Sequence, residues 1–137
     1  MKNSRIIIVF CLCILLVSGL ACTLFGEETP SLPSAPTLSN PANGAVLNGT
    51  SITFKWLGTS DTNGYFLRVS ESTYPDLDAE TSFFSADIGN FPQYTVSGFP
   101  DDGTEYVWGV WSGNEAGWCL KPEVLSNSQS FTNGEAQ

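Results

Sequence analysis

The chain contains no histidine and only five basic residues against fourteen acids, a formal charge of −9. Without imidazole, the general base most used near neutral pH is missing, and neither a serine nor a thiol has a neighbour able to activate it. A zinc site would have to be assembled from carboxylates and thiol alone. No phosphate-cradling glycine loop or dinucleotide fingerprint occurs. Paired acids can cut glycosidic bonds only inside a cleft that fixes their separation, and a domain of about a hundred residues has little material for such walls. The expectation is a protein that is not an enzyme and carries no cofactor. The shortage of Lys and Arg also argues against nucleic acid, whose phosphates must be neutralised by them.

Long apolar runs are equally scarce, with one exception. Lys2 and Arg5 precede sixteen mostly apolar residues, Ile6 to Ala21, and a polar, proline-containing segment follows Cys22. A short basic head, an apolar middle and small residues before a cysteine form an export signal. The tetrad Gly19-Leu20-Ala21-Cys22 resembles the lipobox of bacterial lipoprotein precursors, in which the cysteine becomes the acylated amino terminus. Gly19 stands where that family usually has leucine. The resemblance implies a signal peptide over residues 1–21, lipidation at Cys22, and attachment to a cell membrane or outer membrane on its extracytoplasmic side. Two alternatives stay open: Ile6 to Phe25 is long enough to remain as an uncleaved span, or the chain is secreted. All three export the domain.

Cleavage before Cys22 would leave 116 residues with three basic residues and all fourteen acids, a formal charge of −11. Lipid would then be the only membrane attachment. Cys11 and Cys13 leave with the signal and Cys22 carries lipid, so Cys119 is alone and no disulfide forms within the domain. Residues 22–34 combine Pro30 and Pro33 with Ser, Thr and Glu and show no apolar period, which reads as a tether.

Helical spacing of apolar residues is absent beyond Ser34, whereas several windows alternate strictly. Ile52, Phe54 and Trp56 share one face of Thr50 to Trp56; Tyr65, Leu67 and Val69 share one face of Tyr65 to Ser70; Tyr106, Trp108 and Val110 share one face of Glu105 to Trp111. Turn signals separate them at Asn43-Gly44, Asn48-Gly49, Asn63-Gly64, Asp102-Gly103 and Asn114 to Gly117. Further strands are expected near 36–38, 45–47, 82–85, 93–97 and 127–132. About seven short antiparallel strands make an all-β sandwich.

Ala35-Pro36 at the entry, Trp56 closing the second major strand, and the run FPDDGTEYVWGV from Phe99 to Val110 resemble a fibronectin type III or related immunoglobulin-like domain spanning residues 35–133, with a disordered tail at 134–137. The resemblance implies that Tyr106 is a tyrosine corner, its phenol bonded to the corner backbone and its ring in the core. It implies no activity, and no Arg-Gly-Asp triplet is present.

The resemblance makes the strands Tyr65 to Ser70 and Glu105 to Trp111 neighbours, and alternation then places Phe66, Arg68, Val107 and Trp111 on their outer face, with Trp118 and Phe84 extending an exposed apolar stripe. Such a stripe is expected to bind an envelope or extracellular protein, in adhesion or another interaction, or to stack on a glycan; a long loop folding over it, with Trp118 as a lid, is the competing arrangement. A structural spacer is a third possibility. Asp76, Asp78 and Glu80, together with Asp101 and Asp102, gather at the pole opposite the tether, where they read as a solvated acidic loop or as oxygen ligands for calcium.

Overall fold

The computed structural model describes residues 30–73, 82–119 and 128–135. The signal segment, Cys22 and the acids Asp76, Asp78 and Glu80 lie outside the described residues. The described residues form nine strands: β1 (Thr37–Asn40), β2 (Ala45–Leu47), β3 (Ser51–Leu57), β4 (Gly64–Glu71), β5 (Ser82–Asp87), β6 (Gln93–Ser97), β7 (Thr104–Asn114), β8 (Gly117–Trp118) and β9 (Gln129–Asn133). One sheet has the order β1-β3-β6; the other runs β2-β9-β7-β4-β5, with β8 added to β7. Among these strands only β2 and β9 pair in parallel.

The alternating windows become the strands that face each other across the sandwich. In β3 the pattern buries Ile52, Phe54 and Trp56 and exposes Ser51, Lys55 and Leu57. Tyr65, Leu67 and Val69 of β4 and Tyr106, Trp108 and Val110 of β7 close the core from the other sheet. Phe54 is its hub, with ring centroids 5.1 Å from Trp108 and 5.8 Å from Phe131 in edge-on geometry. Trp56 meets Tyr65 edge-on at 5.6 Å. Each such side chain contributes about 1.5–3 kcal/mol on burial, so one period-2 pattern accounts for both strand formation and sheet stacking.

Phe84 departs from the expected outer stripe. Pairing of β4 with β5 shifts between Val69 and Ser70, where Phe84 and then Ser82 are the partners, leaving Phe83 as the extra residue of a bulge. Phe84 faces the sandwich because it pairs with the core residue Val69, and the bulge brings Phe83 to the same side: Phe83 stacks on Phe99 at 4.5 Å and Phe84 on Tyr94 at 5.5 Å. Phe84 therefore packs against the main core rather than the outer face.

Asn133 ties three parts of the fold. Fully buried at the end of β9, it donates from Nδ2 to Gly49 O at 2.9 Å and to Pro100 O at 2.6 Å, while its own carbonyl accepts from Gly103 N. One amide thus holds the β2–β3 turn to the corner that precedes β7.

Candidate functional site

The two outer faces differ in chemistry. On the β1-β3-β6 sheet the outward residues form a polar ladder, with Thr53 and Thr95 hydroxyls 2.8 Å apart and Ser51 and Ser97 hydroxyls 2.9 Å apart. On the β4–β7 side they are aromatic and cationic. Antiparallel register sets Phe66 opposite Trp111, Arg68 opposite Gly109 and Ser70 opposite Val107. Gly109 carries no side chain, and the Arg68 guanidinium lies across its neighbours, with Cζ 5.3 Å from the Phe66 ring centre and 5.5 Å from that of Trp111. Arg68 Nε also donates to Ser85 Oγ at 3.2 Å.

The hairpin after Trp111 completes this face. β7 runs on to Asn114, turns through Glu115 and Ala116, and returns as β8, with Gly113 opposite Trp118. Asn114 Oδ1 accepts from Ala116 N at 2.9 Å, and Gly117 takes φ +133°, a left-handed value open to a residue without Cβ. A Cβ on Gly113 would stand 2.6 Å from a Trp118 ring carbon, so the indole lies directly on the β7 backbone. Phe66 meets that indole edge-on at 6.0 Å and Trp111 at 6.4 Å.

Of the five residues expected on the binding face, the fold brings all to one side of one sheet, but not all to solvent. Trp111 is 7% exposed and forms a small second core with Cys119, against which Phe66 and Val107 are half-buried. Trp111 is thus the floor of the face rather than an open platform. Trp118, at 44% exposure, is its accessible ring. Cys119 is buried beside it, its sulfur accepting from Ser112 N at 3.2 Å, and sequence pattern alone did not place it there. Phe66, Arg68, Trp111, Trp118 and Cys119 line a shallow hollow of about 330 Å³. On the other flank of Trp118 lies a second hollow of about 350 Å³, bordered by Asn63, Asp87 and Glu115 and floored by Gly64, Gly89 and Gly113.

The chain enters beside this site. Asn114 Nδ2 donates to Ser31 O at 2.9 Å and to Asp61 O at 3.1 Å, Ser112 Oγ donates to Ser34 O, and Pro33 is buried. The last residues of the segment read as a tether therefore run along the β7–β8 hairpin.

At the opposite pole, Asp102 Oδ1 accepts from both Thr104 Oγ1 (2.6 Å) and Thr104 N (3.0 Å). The hydroxyl first, then the backbone amide, hold its carboxyl below the usual carboxylate value. That carboxylate closes the turn into β7. Among the described residues no group of three or more potential ligands is arranged to hold a metal. The Tyr106 ring is buried against Phe99 and Phe131, but its phenol is set beside the Thr104 side chain rather than bonded to the corner backbone, so only the buried ring of the expected corner is present. Its phenol is pushed above 10.0 by burial first and then by the charges of Glu71 and Asp102.

No family model matches the chain, and no curated protein matches it. Solved structures do. A computer-based redesign of a β-sandwich protein superposes with a TM-score of 0.53 at 14% identity, over 78% of this chain and 98% of that one. The FN1-FN3 domains of chicken CNTN1 give 0.52 at 15% identity, over 77% of this chain and 31% of that one. The FN5 domain of Drosophila Lar gives 0.49 at 21% identity, over 79% of this chain and all of that one. The fold is fibronectin type III-like, and identities this low speak for the fold alone.

Proposed function

We propose that the chain is a non-enzymatic, lipid-anchored, extracytoplasmic binding module whose β4–β7–β8 outer face engages a protein partner. The observation that carries this is the contrast between the two faces: one a polar Ser/Thr ladder, the other an aromatic–arginine cluster ending in the half-exposed Trp118. Trp and Arg dominate the energetics of protein interfaces, because each presents a large contact area together with a polar group. A fibronectin type III-like sandwich suits such a role, or that of a spacer, by holding the face on rigid strands.

Position supports the same reading. Nine residue steps separate Cys22 from Ser31, a reach of at most about 32 Å at roughly 3.6 Å per residue, and Ser31 is held at the β7–β8 hairpin. An acyl chain on Cys22 would keep Trp118 near the bilayer, within range of partners in or on the same membrane.

Three experiments test this. Mass spectrometry of metabolically labelled protein is expected to find an acylated Cys22 amino terminus, and an unmodified, uncleaved one removes the anchoring claim. A photo-crosslinking residue at position 116, in the β7–β8 turn beside Trp118, is expected to trap a discrete protein in intact membranes, whereas one at Thr95 on the polar face traps none. Equal trapping from both faces sinks the assignment of the site. Binding of a saccharide on a glycan array, abolished by Trp118→Ser, would replace the protein partner with a glycan.

A further inference from the structure

We infer that the hollow between Trp118, Asp87 and Glu115 is a receptor for one cationic side chain, arginine or lysine, of the partner protein; this rests on the protein-binding reading above and specifies its chemistry. The hollow's floor is made by glycines: Gly64 of β4 and Gly113 of β7 contribute no side chains, so a ligand can reach the backbone between two walls. One wall is the Trp118 indole, laid against Gly113 and 44% exposed. The other comes from β5, where Asp87, paired with Phe66, is exposed. Asp87 Oδ1 accepts from Gly89 N at 2.9 Å, which fixes the carboxylate while its second oxygen has no partner among the described residues. Glu115, exposed at the tip of the β7–β8 turn, supplies the second negative charge.

An aromatic face beside two carboxylates favours a cation over a neutral ligand. The ring attracts positive charge through its quadrupole, and a guanidinium or ammonium also offers the donors that carboxylates accept. A neutral sugar would desolvate both carboxylates without compensating charge. No Lys or Arg lines the hollow among the described residues, and the chain as a whole carries −9, which steers basic partners toward it. The neighbouring hollow shows the same chemistry already satisfied from within: Arg68 lies 5.3 Å from Phe66 and 5.5 Å from Trp111. Trp118 separates the internally occupied cation site from the open one.

The test is an NMR titration of the full-length protein in detergent micelles, following the Trp118 indole N–H against those of Trp56, Trp108 and Trp111. Acetyl-arginine-methylamide is expected to shift Trp118 selectively, at least fivefold more weakly in Asp87→Asn/Glu115→Gln and in 0.5 M salt. Asn at 87 retains the acceptor for Gly89 N, so the double variant should fold. Asp101→Asn/Glu105→Gln removes the same charge elsewhere and should leave the titration unchanged. An equal response to acetyl-norleucine-methylamide, a response to cellobiose alone, or equal weakening by both double variants overturns the cation receptor. If the crosslink from position 116 persists undiminished in Asp87→Asn/Glu115→Gln, the protein-binding reading stands and the cation receptor fails. Absence of any adduct in the unsubstituted protein defeats the broader reading instead.

Discussion

Trp118 rests on Gly113: a Cβ at position 113 would stand 2.6–2.9 Å from three carbons of the indole ring. Atoms of a flat ring held against Phe66 cannot yield as the end of a flexible chain can. Replacement by Ala must therefore lift the ring or spread β7 from β8. Gly113→Ala is expected to cost about 1–3 kcal/mol, as overpacking does, and to move the Trp118 indole resonance. An unmoved resonance with an unchanged melting point would show that the indole does not lie there.

The two tryptophans of the outer face should separate structure from binding. Trp111 is 7% exposed and packed on Cys119, so Trp111→Ser should cost about 3–5 kcal/mol, the range for emptying a buried aromatic site. Trp118→Ser should cost only about 1 kcal/mol, the edge-on contact with Phe66 being its main loss, while abolishing the crosslink from position 116. Denaturant melts of both variants decide this; a larger loss from Trp118→Ser reverses the assignment of floor and rim.

Asn133→Ala should leave two carbonyls, Gly49 O and Pro100 O, without their buried donor. Each orphaned group costs about 1–3 kcal/mol. The loss should appear as faster amide exchange in the β2–β3 turn and at residues 100–103. Exchange confined to β9 would mean that the amide does not couple these loops.

Tyr106 predicts the alkaline limit of stability. Burial raises its folded pKa above the ordinary 10.0, so the folded state favours the neutral phenol. Its contribution is complete below pH 10 and is lost as pH rises through the raised value. Tyr106→Phe should flatten the fall in melting temperature above pH 10; an unaltered alkaline slope would assign that fall to another group. Asp102 works in the opposite sense, its depressed carboxyl stabilising the fold above the ordinary value of 3.8 and ceasing to do so as pH falls below it.

Much of the sandwich was legible in the chain because period-2 patterning is a local signal. Ala45–Leu47 and Gln93–Ser97 coincide with the expected strands, and Trp56, Tyr65 and Tyr106 turn inward as their spacing requires. Asn114 to Gly117 was visible as a turn, but the return strand β8 was not, since two residues carry no period. Phe84 points inward because it pairs with the core residue Val69, a register set by contact between strands that the short β5 segment does not itself record. The outer position of Trp111 followed from alternation; its burial did not.

By itself the sequence determined which side chains share a face, because that depends only on the geometry of an extended backbone. It also set the acidic balance and the absence of imidazole, which are counts. The tertiary structure decided which outward residues remain in contact with water. Cys119 is brought against Trp111 by the β7–β8 hairpin and Phe66 by the neighbouring strand β4, and Trp118 is left half-exposed because Gly113 lets it lie flat. Exposure depends on what lies above a residue as well as on the direction in which it points, and what lies above is set by turns and strand pairings that alternation does not record.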